Sequence, residues 1–334
     1  MSGGLVDVFF SSSRDVESWE KRFEGGEAPD RWPYGLNRLF DGRVRYEQLQ
    51  PLSRAQTFSG LLARKRPSVG AGIAWDENVG YRMALSEPRE YMASGIVWAT
   101  DELASRSSPL ELAVKRHALR KMDAVWCLSS AQVAPIQSWL NMEGERVHFV
   151  PFGVDTSFWS GVEENSEPCI FSVGGDRDRD TETLFRALAL IREAMPSVRL
   201  RVQTSSTLEP PEGVEVVRYL THVELRSAYS QSSLVMVATR PNLHVSGMTV
   251  SLESGAMRRP VVITGSPGMA DYVEDGVTGL ITKQGDAAQL AAGALSLLRD
   301  PARRAEMGLR ARERVTRAHS SVRMADRITQ LVGG

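Results

Sequence analysis

The feature that most restricts what this chain can fold into is a rhythm. Short apolar runs alternate with amphipathic stretches of helical period, and the rhythm restarts after a polar break at SGVEENSEP, between Trp159 and Pro168. Beyond the break it reads as strand Ile170–Val173, helix Thr181–Met195, strands Arg199–Gln203 and Val214–Tyr219, helix Val223–Ser230, strand Leu234–Ala238, helix Val250–Met257 and strand Val261–Thr264. Before it, strands are expected at Val6–Phe10, Tyr46–Leu49, Gly95–Ala99, Asp123–Leu128 and Val147–Pro151. Helices are expected at Leu36–Phe40, after Ser108 as N-cap with Pro109 and Glu111, and from near Gln132. Such alternation predicts parallel sheets covered on both faces, here an α/β chain of two open-sheet domains.

The run from Phe171 to Gly279 carries the most chemistry. Strand FSVGG opens into the charged turn DRDRD, and HVSGMTVSLESGAMRRPVVITGSPG follows with a glycine turn, a helix, a strand and a second glycine turn. In open parallel sheets, ligands settle outside the carboxyl ends of the strands. Gly174 and Gly175 let the backbone approach a phosphate, while Arg177 and Arg179 follow the strand where a guanidinium can pair with one. The amides near Gly247, Met248 and Thr249 begin a helix and suit an anion. Glu253, six residues past that glycine, can accept from both hydroxyls of a ribose. His244 and Ser246 are further polar candidates on the approach to the turn. The set fits a ribose linked to a diphosphate, and the pattern of a lysine-bearing phosphate loop is absent. Each residue also has a plain structural alternative, such as a solvated helix glutamate or a charged outer loop.

In the first half, Asp101 follows the expected strand GIVWA and could orient an acceptor hydroxyl or take its proton, or else cap the next helix. All seven tryptophans lie at or before Trp159, which offers an aromatic surface to an acceptor or simply a core.

A formal net charge of -1 asks for no nucleic-acid partner. The two cysteines, Cys127 and Cys169, lie in or beside apolar segments without metal-like spacing, which implies buried thiols in a reducing compartment. No basic, apolar leader opens the chain, and no run approaches about eighteen apolar residues. A cytoplasmic protein is expected, touching a membrane at most at its surface, with no transmembrane segment and an oligomeric state left open.

Three segments, VHFVPFGVDTSFW, FSVGGDRDRDTETLFRAL and SGMTVSLESGAMRRPVVITGSPGMADYVEDGVTGLI, resemble retaining glycosyltransferases of the GT4 family, most strongly from Asp123 to Val315. The resemblance implies the GT-B fold, two facing Rossmann-like domains: residues 1–160 for the acceptor, 168–315 for the nucleotide-sugar donor, and a C-terminal helix in 316–334 returning to the first domain. It implies transfer of a sugar from a nucleoside-diphosphate sugar to a hydroxyl on a small molecule, glycan or lipid headgroup, without metal or other cofactor. UDP, GDP and dTDP donors all remain open. Glu253 matches the family's ribose-binding glutamate. The family's first glutamate falls at Val245, flanked here by His244 and Ser246. Arg179 lies near the family's phosphate-binding lysine, with Arg177 assisting, whereas Gly175 occupies the place of its arginine. Thr100 and Asp101 stand near the place of its first-domain histidine. A nucleotide-sugar epimerase, a sugar phosphorylase of the same fold, or a noncatalytic sugar-binding protein is the alternative reading.

Overall fold

The structure, a computed structural model, describes residues 5–63, 65–105, 108–161 and 167–333. Two compact units emerge. One contains the chain up to Lys21, Arg31–Pro151 and the segment from Val322 onward; the other contains Arg22–Asp30 and Phe152–Ser321. Most of the expected linker, residues 162–166, lies outside the described residues.

The first unit runs β1 (Val6–Ser11), α1 (Val16–Glu24), β2 (Val44–Leu49), α2 (Arg54–Leu62), β3 (Ser68–Ala74), α3 (Glu77–Ser86), β4 (Arg89–Ile96), α4 (Ala99–Ala104), α5 (Pro109–Leu119), β5 (Ala124–Cys127), α6 (Val133–Leu140) and β6 (Val147–Phe149). Its six strands are parallel in the order β2-β1-β3-β4-β5-β6. Val6 through Phe10 are all buried, as expected of an inner parallel strand covered on both faces. Met83 of α3, Leu119 of α5 and Ile136 of α6 fill one side of the sheet. Of the seven tryptophans, Trp32, Trp75, Trp126 and Trp159 are buried, so core packing accounts for the greater part of that aromatic bias.

Several sequence expectations need correction here. Leu36–Phe40 is not a regular helix; it lies in a 3-10 segment, Pro33–Gly42, broken by positive φ at Tyr34, Gly35, Phe40 and Asp41. Ser108 does precede α5, but its side chain makes no capping bond. Strand β3 and helix α3 are absent from the sequence reading, because SVGAGIA has glycine or alanine at four of its seven positions, where a strand signal would need branched residues.

The largest correction concerns β4. The strand ends at Ile96 rather than Ala99, and Asp101 lies in the first turn of α4. The cause is Glu77, a fully buried carboxylate. It accepts the amides of Val97 and Trp98, each at 2.8 Å, and so diverts the backbone from the sheet. Gln132 holds the same turn from the other side, donating to Val97 O and to Thr100 Oγ1, both at 2.9 Å.

Burial, aided by the charge of Asp76, raises the Glu77 carboxyl to about 7. Its native value therefore exceeds that of the unfolded chain, and the stability this confers is present below about 4.5 and lost as pH rises through about 7. Glu77→Gln should cost about 2 kcal/mol, because its amide would face one backbone N–H with another N–H. Urea unfolding at pH 5 and pH 8 should show the gap between wild type and variant narrowing at the higher pH.

The second unit runs β7 (Cys169–Val173), α7 (Thr181–Ala194), β8 (Arg199–Gln203), β9 (Val214–Val217), α8 (His222–Gln231), β10 (Leu234–Val237), α9 (Met248–Ala256), β11 (Val261–Thr264), β12 (Gly279–Thr282), α10 (Ala287–Arg299) and α11 (Pro301–Ala318). Helix α12 (Ser321–Gly333) follows. From Val322 it belongs to the first unit, where Thr329 accepts from Phe40 N at 3.0 Å and Leu331 O accepts from Tyr91 Oη at 3.3 Å.

The second sheet is also parallel, in the order β12-β11-β10-β7-β8-β9. The chain order reverses between β7 and β10, and such a reversal opens a crevice beyond the carboxyl ends of the two strands. Leu184, Leu188 and Ile191 of α7 pack in one cluster with Leu290, Ala294 and Leu297 of α10, fixing both helices over the sheet. Asp180, Asp286 and Asp300 cap α7, α10 and α11 through Thr183, Gln289 and Arg303 amides. Two parallel six-stranded sheets with helices make this an α/β chain, as the alternation predicts.

Candidate functional site

The crevice of the second unit is built from three segments: the turn after β7, the loop between β10 and α9, and α9 itself. Asp176 tightens the first turn by accepting Asp178 N at 2.9 Å. The chain then runs back beside the β10 end, where Asp180 N donates to Ala238 O and Arg240 N to Asp178 O. This return directs Arg179 inward.

Its guanidinium passes over Gly174 so closely that a Cβ there would lie 2.1 Å from Arg179 Nε. A Cβ on Gly247 would lie 3.0 Å from Nη1. Both atoms are enclosed and have no hydrogen-bond partner among the described residues. A buried donor without an acceptor is costly and rare in a native fold. Burial works against the charge of Arg179, while Asp176, Tyr229 and Glu253 support it.

The second segment is tied down at several points. Asn242 donates to Arg240 O at 2.7 Å and accepts Ser246 N at 2.8 Å. His244, only 3% exposed, places Nε2 at 3.1 Å from Asp176 Oδ2 and Nδ1 at 3.8 Å from Asp178 Oδ2. Burial alone would raise the Asp176 carboxyl, but the His244 bond, the Asp178 amide and the nearby His244 and Arg179 charges hold it well below the usual range. Between His244 and Ser246, Val245 takes a φ of 55°, a genuine outlier for a β-branched residue. Strain of this kind persists only where the surroundings over-determine the backbone, and it gathers at functional sites.

Gly247 then caps α9 at a φ of 98°, two residues earlier than the sequence places the helix start. The Met248 amide does not face outward as expected; it donates to Val245 O at 3.0 Å. Thr249 lies in the first turn, where amides lack partners within the helix. Ser246 Oγ is enclosed without a partner among the described residues.

Five residues after Met248, about 7.5 Å along the axis, comes Glu253. Tyr229 Oη, from the end of α8, donates to Glu253 Oε2 at 2.9 Å. Burial raises the Glu253 carboxyl to about 8, against the opposing influence of that hydrogen bond and of Arg179. The arrangement offers a cation and a helix N-terminus at one end and a carboxylate at the other.

The sequence-predicted residues separate into two groups. Gly174, Arg179, His244, Ser246, Gly247, Thr249 and Glu253 meet along these segments. Gly175 and Arg177 are exposed in the turn, with Arg177 Nε 3.3 Å from Asp178 Oδ2. Asp101 belongs to the other unit. Sequence reasoning missed Tyr229, which looked like one residue of an ordinary helix, and the clamp of Asp176 and Asp178 on His244.

That clamp also groups three side chains able to ligate a metal, their ligand atoms lying within 4.8 Å of one another. Their existing partners compete with such a role. Asp176 is engaged by His244 and the Asp178 amide, and Asp178 by Arg177 and His244.

Among known proteins, residues 167–300 match the family model described as Glycosyl transferases group 1. A D-inositol 3-phosphate glycosyltransferase of Pseudarthrobacter chlorophenolicus is 25% identical over 203 residues, covering 54% of this chain and 48% of that protein. The chain thus spans about half the length of this relative. Sucrose-phosphate synthase from Thermosynechococcus elongatus superposes with a TM-score of 0.71 at 17% identity, covering 98% of each chain. HepE of Anabaena, in complex with UDP-glucose, superposes with a TM-score of 0.71 at 14% identity, covering 99% of this chain and 100% of that one. The chain is therefore an α/β protein of the GT-B fold whose residues 167–300 match the group 1 glycosyl transferases.

Proposed function

We propose that the protein is a retaining, metal-independent glycosyltransferase of the GT4 type, moving a sugar from a nucleoside-diphosphate sugar to an acceptor hydroxyl. The observation that carries this reading is Arg179, whose enclosed Nε and Nη1 lack acceptors beside the N-terminus of α9. A diphosphate supplies those acceptors, and Glu253 receives the ribose hydroxyls one and a half turns further along α9.

In this mechanism Arg179 and the Thr249 amide in the first turn of α9 bind the departing diphosphate more strongly as its charge grows, which lowers the barrier to breaking the sugar bond. The departing phosphate shields the positive anomeric carbon and takes the proton of the acceptor hydroxyl arriving on the same face, so configuration is retained. Asp101, in the first turn of α4, is the residue of the first unit that this reading assigns to the acceptor hydroxyl. The second unit is the donor domain and the first the acceptor domain. Independence from metal is favoured by the clamp, where basic groups already balance Asp176 and Asp178.

UDP-glucose is the donor to try first, since the superposed Anabaena protein holds it. An inositol phosphate belongs among the acceptors, given the relative's name. Mass spectrometry of the protein with UDP-, GDP- and dTDP-sugars and pooled hydroxylated acceptors, in chelator, should reveal an added hexose or deoxyhexose. Donor isomerisation without acceptor would instead indicate an epimerase, sugar phosphate formed from a glycoside a phosphorylase, and binding without turnover a noncatalytic protein. Activity appearing only when chelator is replaced by a divalent cation would overturn metal independence.

A further inference from the structure

Tyr229 is held more firmly than a helix-end residue needs to be. Its carbonyl accepts three donors: Ser232 N at 3.2 Å, Ser232 Oγ at 2.9 Å and Arg259 Nε at 3.2 Å. Its ring meets Trp159 edge-on, with centroids 5.7 Å apart, and Phe171 likewise at 5.5 Å. The side chain is wholly buried, so its hydroxyl has one direction in which to donate, toward Glu253 Oε2 at 2.9 Å. Glu253 Oε1 makes no hydrogen bond among the described residues.

A glutamate left to itself samples several rotamers, and ordering it on binding costs part of the affinity its hydrogen bonds supply. A rigid donor on one oxygen removes that cost beforehand. Burial first, then the adjacent Glu253 carboxylate, keeps the phenol protonated well above its ordinary range, so it remains a donor throughout the physiological range.

We propose that Tyr229 is the positioning residue of the nucleotide site: its hydroxyl fixes Oε2 of Glu253 so that Oε1 is presented to the ribose hydroxyls. This deepens the reading of Glu253 as the ribose acceptor and rests on it. Tyr229 touches no reacting atom; it acts on nucleotide selection through the carboxylate.

The test uses the full chain and calorimetric titration with UDP and GDP, each beside its 2′-deoxy counterpart. Wild type should prefer the ribonucleotide about tenfold or more, the worth of one good hydrogen bond. Tyr229→Phe keeps the ring and its aromatic neighbours. It should weaken ribonucleotide binding about tenfold, leave the deoxynucleotide nearly unchanged, and bring the ratio toward one. In a Glu253→Ala background the same substitution should have no further effect, because its route of action is gone. Equal losses for ribo and deoxy forms, an undiminished preference, or the same loss in the Glu253→Ala background would overturn the proposal and assign Tyr229 to packing alone. Wild type that binds neither nucleotide, or binds both sugars equally, would instead overturn the underlying nucleotide reading, and this inference with it. Thermal melting of each variant keeps misfolding distinguishable from a lost preference, and the Glu253→Ala pair supplies the answer independently of the ratio.

Discussion

Glu253→Ala should lower kcat/KM for the nucleotide-sugar donor at least about a hundredfold. Two losses combine: the ribose hydroxyls lose their acceptor, and Tyr229 Oη, 2.9 Å from Glu253 Oε2, is left buried and unpaired. Glu253→Gln retains an acceptor for that hydroxyl and should lose only about tenfold. Steady-state kinetics over a range of donor concentrations would separate the two variants. Activity within a fewfold of wild type in Glu253→Ala would remove this carboxylate from the site. The pH dependence is a further check. With the carboxyl raised to about 8 in the unliganded protein, donor affinity should increase as pH rises from 7 toward 9, since the ionised carboxylate is the better acceptor. An affinity independent of pH over that interval would contradict it.

Arg179→Ala should lower kcat about a hundred- to a thousandfold, the scale on which losing one preorganised charge donor is felt in the transition state. Gly174→Ala provides the companion experiment. A methyl group at that position would lie 2.1 Å from Arg179 Nε, so the guanidinium must leave. Gly174 does not occupy the left-handed region, and the displaced atoms belong to a flexible side chain rather than to backbone. The fold should therefore survive, with a melting temperature within a few degrees of wild type, while activity falls nearly as far as in Arg179→Ala. Full activity in Gly174→Ala would show that the buried position of Arg179 is not the working one.

The contrast between the two arginines shows how far sequence reasoning reaches. Both follow β7 in DRDRD, and residue type and local pattern do not separate them, although the family resemblance gives Arg179 the leading role. Only the return of the chain beside β10 drives Arg179 inward and leaves Arg177 outside beside Asp178. Glu253 was legible because helix period and the preceding glycine place it on the same element as the amide turn. Its partner Tyr229 was not, because the two residues are 24 positions apart and meet through the packing of α8 and α9. In the first unit, Glu77 was invisible for a similar reason. A glutamate after an aspartate at a helix start is ordinary, and its burial beneath the turn at Val97 and Trp98 depends on how β3 and β4 lie side by side.

The sequence by itself determined the α/β class, the alternation in the second half, and the glycines that allow close approach to the crevice. These are local properties, set by period and backbone freedom within a few residues. Only the tertiary structure decided which charges are buried and against what. It bound His244 to Asp176 and Asp178, bent Val245 into a strained conformation, enclosed Arg179 without an acceptor and set Tyr229 against Glu253. Desolvation and hydrogen-bond geometry depend on neighbours brought from distant parts of the chain, and residue type and spacing do not specify them.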